Sequence, residues 1–244
     1  MRTLIVIPAY NEQEALPGVL KELASRVPEH DVLVVNDGSV DRTPEVARSA
    51  GVVVADLPFN LGIGGALRTG FRCAVEGGYD RVVQFDADGQ HDPDEIDILL
   101  RALDQGADLV VGSRFASDES SYEVGRIRSG AMRSLRLTVK LLSGQPFSDP
   151  SSGFRSFSRP MLDFFARTYP MEYMDSVEAL LLACYAGFTV VETPVSMRRR
   201  SGGAASNRNI KLLYHYLRLM IVILSTAPVR ARRSRAHGSR PEGE

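Results

Sequence analysis

Short apolar segments of strand length alternate with helical patterns through the first half of this 244-residue chain. The apolar segments cover residues 4–8, 31–36, 52–56, 81–85 and 108–112, and helical patterns fill residues 12–27, 43–50, 64–77 and 93–105. Parallel strands need long crossover connections, and a helix between successive strands provides them. The alternation therefore predicts an α/β fold with a mainly parallel central sheet and helices on both faces.

The second half of the chain has a more mixed pattern. It predicts a helix over residues 126–143, a strand over 152–158, helices near 160–168 and 173–187, and a strand over 188–197. Residues 209–227 are strongly apolar, with Lys211, His215 and Arg218 on one stripe, which predicts an amphipathic helix. A basic tail follows at residues 228–244.

Polar motifs stand at or soon after the carboxyl end of each strand predicted in the first half. They are residues 8–12, 36–39, 60–65, 86–90 and 113–114. The carboxyl ends of parallel strands meet at one edge of a sheet, and α/β proteins bind their ligands in the crevice at that edge. The sequence therefore predicts one binding site to which all these motifs contribute.

The motif at residues 86–90 contains two carboxylates separated by one residue, directly after a buried apolar run. Alternate residues of an extended segment point to the same side, so Asp86 and Asp88 are expected to face one crevice. With the amide oxygen of Gln90 they form an oxygen-rich site that suits Mg²⁺ or Mn²⁺ bound to a diphosphate. Because a single Asp-x-Asp pair also occurs in solvated loops and helix caps, this metal hypothesis depends on the other motifs.

Composition narrows the class of protein. An apolar content of 44% and a charged content of 24% are typical of a globular chain. A net charge of −1 gives no support for a nucleic-acid partner. Cys73 and Cys184 are isolated, which predicts neither a disulfide framework nor a cysteine metal site. No signal-peptide pattern precedes the first strand and no uncharged apolar run reaches about 18 residues, so we expect a cytoplasmic protein without a membrane span.

Taken in order with residues 149–155 (DPSSGFR) and 192–195 (ETPV), these motifs resemble those of family 2 glycosyltransferases of the GT-A fold. Within that family the chain is most similar to the dolichyl- and polyprenyl-phosphate sugar synthases, over roughly residues 3–208. The resemblance implies a Rossmann-like GT-A domain at residues 1–208 and a metal-dependent, inverting transfer of a hexose. The implied donor is a GDP- or UDP-linked sugar, the acceptor a polyprenyl phosphate and the cofactor Mg²⁺ or Mn²⁺.

The resemblance also implies roles for individual residues at the donor site. The nucleotide-sugar-binding positions are Pro8, Ala9, Tyr10, Glu12, Asp37, Asp86, Ala87, Asp88, Arg114 and Arg200, and the metal ligands are Asp88 and Gln90. Tyr10 offers a flat face to the base, and Asp37 can accept hydrogen bonds from the base or the ribose. An ordinary turn also explains the composition of residues 36–39.

Three carboxylates, Asp88, Asp149 and Glu178, are the candidate catalytic residues. Asp149 is the first candidate for a base near the acceptor, and Glu178 is the second. A phosphate acceptor is already ionised at neutral pH and needs no base, whereas a hydroxyl acceptor needs one. The alternative for both residues is a structural pairing with Arg155 or another cation.

Arginines are the candidates for phosphate binding, because guanidinium groups bind phosphate through paired hydrogen bonds. Arg126 and Arg128 lie near an arginine of the lipid-phosphate synthases and are assigned to the acceptor phosphate. The glycine-rich segment 60–65 lacks the lysine of a P-loop, so we expect it to pack closely beside the nucleotide. Arg68, on the helix that follows, is a further candidate to reach a phosphate.

The C-terminal part of the chain is predicted to lie at a membrane surface. Residues 198–203 resemble the family's basic loop that closes over the donor, and the pattern leaves open whether Arg199 or Arg200 is the phosphate ligand. The helix at 209–227 and the tail at 228–244 suit an anionic lipid surface. We therefore expect peripheral attachment to the inner face of the cell membrane; the alternative is a helix packed on its own domain or on a partner protein.

Other functions remain open at this point. The same donor chemistry with a glycan or small-molecule hydroxyl as acceptor is the first alternative. A sugar-phosphate nucleotidylyltransferase is the second, although it would need a glycine-rich basic loop where this chain has residues 8–12. A pseudoenzyme that only binds nucleotide is the third, and the intact Asp86, Asp88 and Gln90 argue against it.

Overall fold

Seven strands form the central sheet of the structure, a computed structural model that describes residues 1–115, 126–170 and 175–198. Residues 126–129, 131 and 175 are described by their backbone alone. The strands are β1 (Thr3–Ala9), β2 (Asp31–Asn36), β3 (Val53–Asp56), β4 (Arg81–Gln84), β5 (Leu109–Ser113), β6 (Arg155–Ser158) and β7 (Val190–Pro194). Their order across the sheet is β3-β2-β1-β4-β6-β5-β7.

One strand, β6, runs against the direction of the others. β1 pairs in parallel with β2 and β4, β2 with β3, and β5 with β7, whereas β6 is antiparallel to its neighbours β4 and β5. The mainly parallel sheet predicted from the sequence is therefore confirmed. The reversed course of β6 also brings the segment before it, residues 149–154, to the edge where the other strands end.

Helices cover both faces of the sheet. Those in the described ranges are α1 (Leu16–Arg26), α2 (Thr43–Ser49), α3 (Ile63–Glu76), α4 (Ile96–Asp104), α5 (Arg126–Ser143), α6 (Arg159–Thr168) and α7 (Asp175–Tyr185). Helices α1, α2 and α4 pack on one face, and α3, α5, α6 and α7 pack on the other. Within β1, Ile5 and Ile7 face the first group while Leu4 and Val6 face the second. Burial on both faces accounts for the continuous apolar composition of the strands.

The order of elements matches the prediction, and the differences lie at element boundaries. The predicted helix at 93–105 is divided into a 3-10 turn, Pro93–Glu95, followed by α4. The strand β6 begins at Arg155 instead of residue 152. The helix α1 begins at Leu16 instead of near residue 12, because the residues before it bond to the loop after β2.

Hydrogen bonds join the loops that follow β1 and β2. The backbone N–H of Asn11 donates to Ser39 Oγ at 3.1 Å, and that of Glu12 donates to Thr43 Oγ1 at 2.8 Å. Asn11 adopts a left-handed conformation with φ of 55°, which Asn tolerates better than most residues. These contacts fix Glu12 relative to the end of β2.

The described part of the predicted 1–208 domain, up to residue 198, packs around this sheet. None of the helices in the described ranges is long and apolar enough to cross a membrane. The predicted amphipathic helix at 209–227 and the basic tail at 228–244 lie outside the described residues.

Candidate active site

A cleft of about 320 Å³ opens at the carboxyl edge of the sheet. Its lining comes from the ends of β1, β2 and β4 and the start of α3, namely Pro8, Ala9, Tyr10, Glu12, Asp37, Ile63, Ala66, Asp86, Ala87 and Asp88. Eight of these ten residues are positions predicted for the nucleotide-sugar donor. Of the other predicted donor residues, Arg114 follows β5 outside this lining, and Arg200 lies outside the described residues.

Asp37 is a buried carboxylate directly after β2, with 3% of its surface exposed. Its Oδ1 accepts a hydrogen bond of 2.7 Å from the N–H of Leu61, and its own N–H donates to the carbonyl oxygen of Ala9. Burial raises the pKa of the Asp37 carboxyl, while the N–H groups of Leu61 and Gly62 act in the opposite direction. Asp37 therefore ties the loop before α3 to the strand that forms the floor of the cleft.

The glycine-rich segment 60–65 packs closely at the side of the cleft. A Cβ at Gly65 would lie 2.5 Å from Leu61 Cβ, so a larger residue there would force the two turns apart. Arg68, proposed from sequence as a phosphate contact, instead donates to the carbonyl oxygens of Ala166 and Arg167 near the end of α6. Arg68 therefore caps the carboxyl end of α6, a helix about 100 residues later in the chain.

Asp86 and Asp88 both line the cleft, as the Asp-x-Asp pattern predicted. Gly89 turns the loop with φ of 75°, and the N–H of Gln90 donates to Asp88 Oδ1 at 3.0 Å. Gln90 lies on the same loop, just beyond the cleft lining. No cluster of three or more His, Cys, Asp and Glu side chains suited to a metal occurs in the described part of the chain. The Asp88 carboxylate and the nearby Gln90 amide suit a cation that takes its other ligands from a bound diphosphate.

His91 is a functional candidate that the sequence reasoning did not single out. Its Nδ1 accepts a hydrogen bond of 3.0 Å from the backbone N–H of Asp86, and its Nε2 lies 3.5 Å from Asp86 Oδ2. The imidazole is 3% exposed, and burial lowers its pKa against the opposing effect of the Asp86 and Asp88 carboxylates. Its position just after the Asp-x-Asp motif was the available signal, but nothing in the sequence indicates that the ring turns inward.

Gly153 provides the space that the Asp86 carboxylate occupies. A Cβ at this position would lie 2.8 Å from Asp86 Oδ2 and 3.2 Å from Gln84 Nε2. Asp86 Oδ1 and both polar atoms of the Gln84 side chain are buried with no hydrogen-bond partner in the described ranges. The segment before β6 therefore packs against Asp86, a lining residue of the cleft, through a residue without a side chain.

Arg114 and Asp149 form a bidentate ion pair beside the cleft. Arg114 Nε lies 2.6 Å from Asp149 Oδ2, and Arg114 Nη2 lies 2.9 Å from Asp149 Oδ1. The Asp149 side chain is fully buried, and that of Arg114 is 20% exposed. Both carboxylate oxygens of Asp149 are engaged by Arg114, and the side chain has no exposed surface to offer to an acceptor. The geometry favours Asp149 as an anchor for Arg114 over Asp149 as a base.

Glu192, on β7, holds the backbone of the segment that carries Asp149. Its Oε1 and Oε2 accept hydrogen bonds of 2.7 Å each from the backbone N–H groups of Asp149 and Ser148. The Oγ atoms of Ser148 and Ser113 are 2.6 Å apart, which joins the same segment to the end of β5. The motif at 192–195 was recognised in the sequence, but this contact with a segment more than 40 residues away was not.

The remaining sequence candidates fall into two groups. Glu178 lies half-buried on α7 and interacts with a neighbouring group. Arg155 donates to the carbonyl oxygens of Pro150, Ser152 and Ser176. The side chains of Arg126 and Arg128, together with Arg199 and Arg200, lie outside the described residues. The first residue of the basic segment, Arg198, pairs with Glu22 and Asp92.

A second groove, of about 440 Å³, is lined mainly by apolar residues of α1, β2 and the turn before β3. It contains none of the residues predicted for donor, acceptor or metal. Because its lining includes residues at the start of β2, it lies toward the edge of the sheet opposite the cleft. We therefore place the chemistry in the smaller cleft, where the carboxylates converge.

Comparison with known proteins identifies relatives along most of the chain. The profile of the family described as "Glycosyl transferase family 2" matches residues 4–165. The polyprenol monophosphomannose synthase of Mycolicibacterium smegmatis is 32% identical over 226 residues, covering 86% of this chain and 83% of that protein. The undecaprenyl-phosphate mannosyltransferase of Micrococcus luteus is 34% identical over 214 residues, covering 83% and 86%.

Solved structures with the same fold include those of glucosyl-3-phosphoglycerate synthase from Mycobacterium tuberculosis. The complex with phosphoglyceric acid superposes with a TM-score of 0.71 at 22% identity, covering 93% of this chain and 80% of that one. A complex of the same enzyme with Mn²⁺, UDP-glucose and phosphoglyceric acid gives a TM-score of 0.67 at 23% identity, covering 87% and 74%. These similarities confirm the GT-A-like architecture predicted from the sequence.

Breaking the Arg114–Asp149 pair should destabilise the fold. We expect Arg114→Ala to cost about 3–5 kcal/mol in the free energy of unfolding, because it leaves the buried Asp149 carboxylate without its partner. Arg26→Ala is the matched control: its pair with Asp94 is exposed, and its loss should cost less than about 1 kcal/mol. Urea unfolding followed by circular dichroism measures both. Similar losses in the two variants would contradict the structural role of the buried pair.

Proposed function

Because the chain belongs to glycosyl transferase family 2, we propose that it is a metal-dependent, inverting enzyme that transfers a hexose to a polyprenyl phosphate. The donor in this proposal is a GDP- or UDP-linked sugar. The printed names of the two relatives, one a monophosphomannose synthase and the other a mannosyltransferase, favour mannose as the first sugar to test.

One observation carries the donor side of the proposal. Eight residues predicted from sequence motifs to contact a nucleotide sugar line a single cleft, although they come from three different strand ends. Tyr10 is 46% exposed there and offers its ring to a base, while Asp37 lies on the cleft floor at the end of β2. This arrangement suits a ligand with a base at one end and a charged diphosphate at the other.

Asp88 and Gln90 would hold the divalent cation in this proposal, with Asp86 and the backbone at Ala87 against the ribose and phosphates. Mg²⁺ or Mn²⁺ at this position would stabilise the negative charge that builds up on the leaving diphosphate. Two side-chain ligands leave most of the coordination shell to phosphate oxygens and water, as is usual for cations that bind with a nucleotide. The loop itself is held in place by the Gln90 to Asp88 hydrogen bond.

On the acceptor side, the proposed roles separate phosphate binding from proton transfer. Arg114 is held in one orientation by Asp149 and is 20% exposed, which suits contact with a diphosphate or with the acceptor phosphate. Arg126 and Arg128, at the start of α5, are the proposed additional contacts of the acceptor phosphate. A phosphate oxygen is ionised at neutral pH and attacks without a base, so the buried state of Asp149 is compatible with this acceptor.

A lipid acceptor places the enzyme at a membrane surface. We propose peripheral attachment on the cytoplasmic face, with residues 209–244 as the segment that contacts anionic lipid. The alternative of a hydroxyl acceptor requires a carboxylate with access to the acceptor, and Glu178, which is half-buried on α7, is the candidate that the geometry leaves for it.

Asp88→Asn tests the cation site. The substitution removes a charged ligand, so we expect Mn²⁺-dependent binding of the nucleotide sugar to weaken by about tenfold or more and transfer to be abolished. Asp94→Asn is the matched control, because Asp94 is an exposed carboxylate of the following turn that pairs with Arg26. Calorimetry with GDP-mannose and UDP-glucose measures binding. Unchanged Mn²⁺-dependent affinity in Asp88→Asn would rule out this assignment.

The two acceptor classes predict opposite orders of transfer rate for arginine variants and for a carboxylate variant. For a polyprenyl phosphate, Arg126→Ala or Arg128→Ala should reduce the transfer rate more than Glu178→Gln, because a charge-assisted phosphate contact is lost while no base is needed. A hydroxyl acceptor reverses the order, since loss of a general base typically costs about 10²–10⁴-fold in rate.

Arg133→Ala, an exposed position on the same helix, is the control for these arginine variants. Steady-state transfer to polyprenyl phosphate at saturating donor measures all four variants, with donor affinity checked separately. A rate lowest in Glu178→Gln would reject the phosphate acceptor.

A further inference from the structure

We propose that His91 is a positioning residue that holds Asp86 in the orientation in which it meets the donor. The proposal rests on the proposed function, because it assigns His91 a role at the same nucleotide-sugar site. The sequence resemblance gave His91 no role, and it does not line the cleft. Its effect on the donor is therefore exerted through Asp86.

Two contacts connect the imidazole to one residue. Nδ1 accepts the backbone N–H of Asp86 at 3.0 Å, and this requires the ring proton to be on Nε2. Nε2 lies 3.5 Å from Asp86 Oδ2, so its proton is on the side of the carboxylate. His91 thus anchors the main chain of Asp86 by one hydrogen bond and places its Nε2 beside the Asp86 carboxylate.

Aromatic packing fixes the plane of the ring. His91 stacks on Phe154 with ring centres 4.5 Å apart, and its ring meets the edge or face of Phe85 nearly perpendicularly at 5.2 Å. Phe85 precedes Asp86 in the chain, and Phe154 follows Gly153, whose missing side chain leaves room for the carboxylate. The imidazole is therefore held by the same two segments that bracket Asp86.

The loop that carries His91 is also held by its backbone. His91 forms a β-bridge with Met197, and the carbonyl oxygen of Gln90 accepts a hydrogen bond of 2.8 Å from the N–H of Arg198. These contacts keep His91 in place without help from the cleft. The orientation of Asp86 is thus established before a donor binds, which lowers the entropic cost of binding it.

Two variants of His91 separate the hydrogen bond from the packing. His91→Phe keeps an aromatic ring and removes the acceptor for the Asp86 N–H. His91→Asn removes the ring and keeps an acceptor oxygen close to the position of Nδ1. Calorimetric titration with GDP-mannose and with UDP-glucose, each with Mn²⁺, measures donor affinity well below the melting temperature of each variant.

A positioning role predicts that donor affinity follows the hydrogen bond. We expect His91→Phe to weaken binding about tenfold, and His91→Asn to remain within about threefold of wild type even where its melting temperature is lower. His30→Phe is the control, since His30 is a mostly buried histidine among the lining of the opposite groove and should leave donor affinity unchanged.

The opposite ranking overturns the proposal. If His91→Phe binds donor as wild type does, or if folded His91→Asn loses as much affinity as His91→Phe, the residue serves packing alone. If wild-type protein binds neither nucleotide sugar with Mn²⁺, the proposed function fails and the inference fails with it. Binding by wild type together with equal binding by His91→Phe rejects the inference and leaves the proposed function standing.

Discussion

The antiparallel course of β6 is the constraint on which the site depends. Between β4 and β5, β6 is the strand whose amino end lies at the carboxyl edge of its neighbours. This reversal brings residues 149–154 to the edge that holds the cleft, where Gly153 packs against Asp86 and Asp149 pairs with Arg114. A parallel strand in the same place would put that segment at the far edge of the sheet.

The carboxylates at this edge differ in burial and in pairing. Asp149 is buried, and its charge is compensated by the bidentate guanidinium of Arg114, while Glu192 holds the Asp149 backbone. Asp86 and Asp88 are half-buried and open to the cleft. Because burying a charge costs several kcal/mol unless it is paired, the paired carboxylate is suited to structure and the open ones to contact with a ligand. The division of roles follows from where each side chain finds its partner.

Sequence reasoning reached the fold and the donor side of the site because both depend on local patterns. Apolar periodicity predicts strands and helices, and polar motifs at strand ends predict the edge at which a ligand binds. The resemblance to the family assigned Tyr10, Asp37 and Asp88 to the donor, and each lies in the cleft. Their roles toward the donor stay predictions until binding is measured.

What sequence reasoning missed depends on contacts between distant segments. For Asp149 the alternative of a structural pairing with a cation is what the structure shows, but the identity of that cation, Arg114, 35 residues away, was not predicted. Arg68 was a candidate to reach a phosphate and contacts α6 instead, and the inward turn of His91 depends on the rings of Phe85 and Phe154, which flank two strands. A local sequence pattern does not determine which distant side chains come into contact, so these partners are identified only from the structure.

The choice of acceptor by wild-type protein distinguishes a lipid phosphate from a hydroxyl as the sugar's destination. Radiolabelled GDP-mannose and UDP-sugars are supplied with Mn²⁺ and with either a polyprenyl phosphate or the polyprenol of the same length. The account predicts that label enters the lipid fraction with the phosphate and not with the alcohol, because the ionised phosphate needs no base. Transfer to the alcohol or to a glycan, with none to the phosphate from any of these donors, would contradict it.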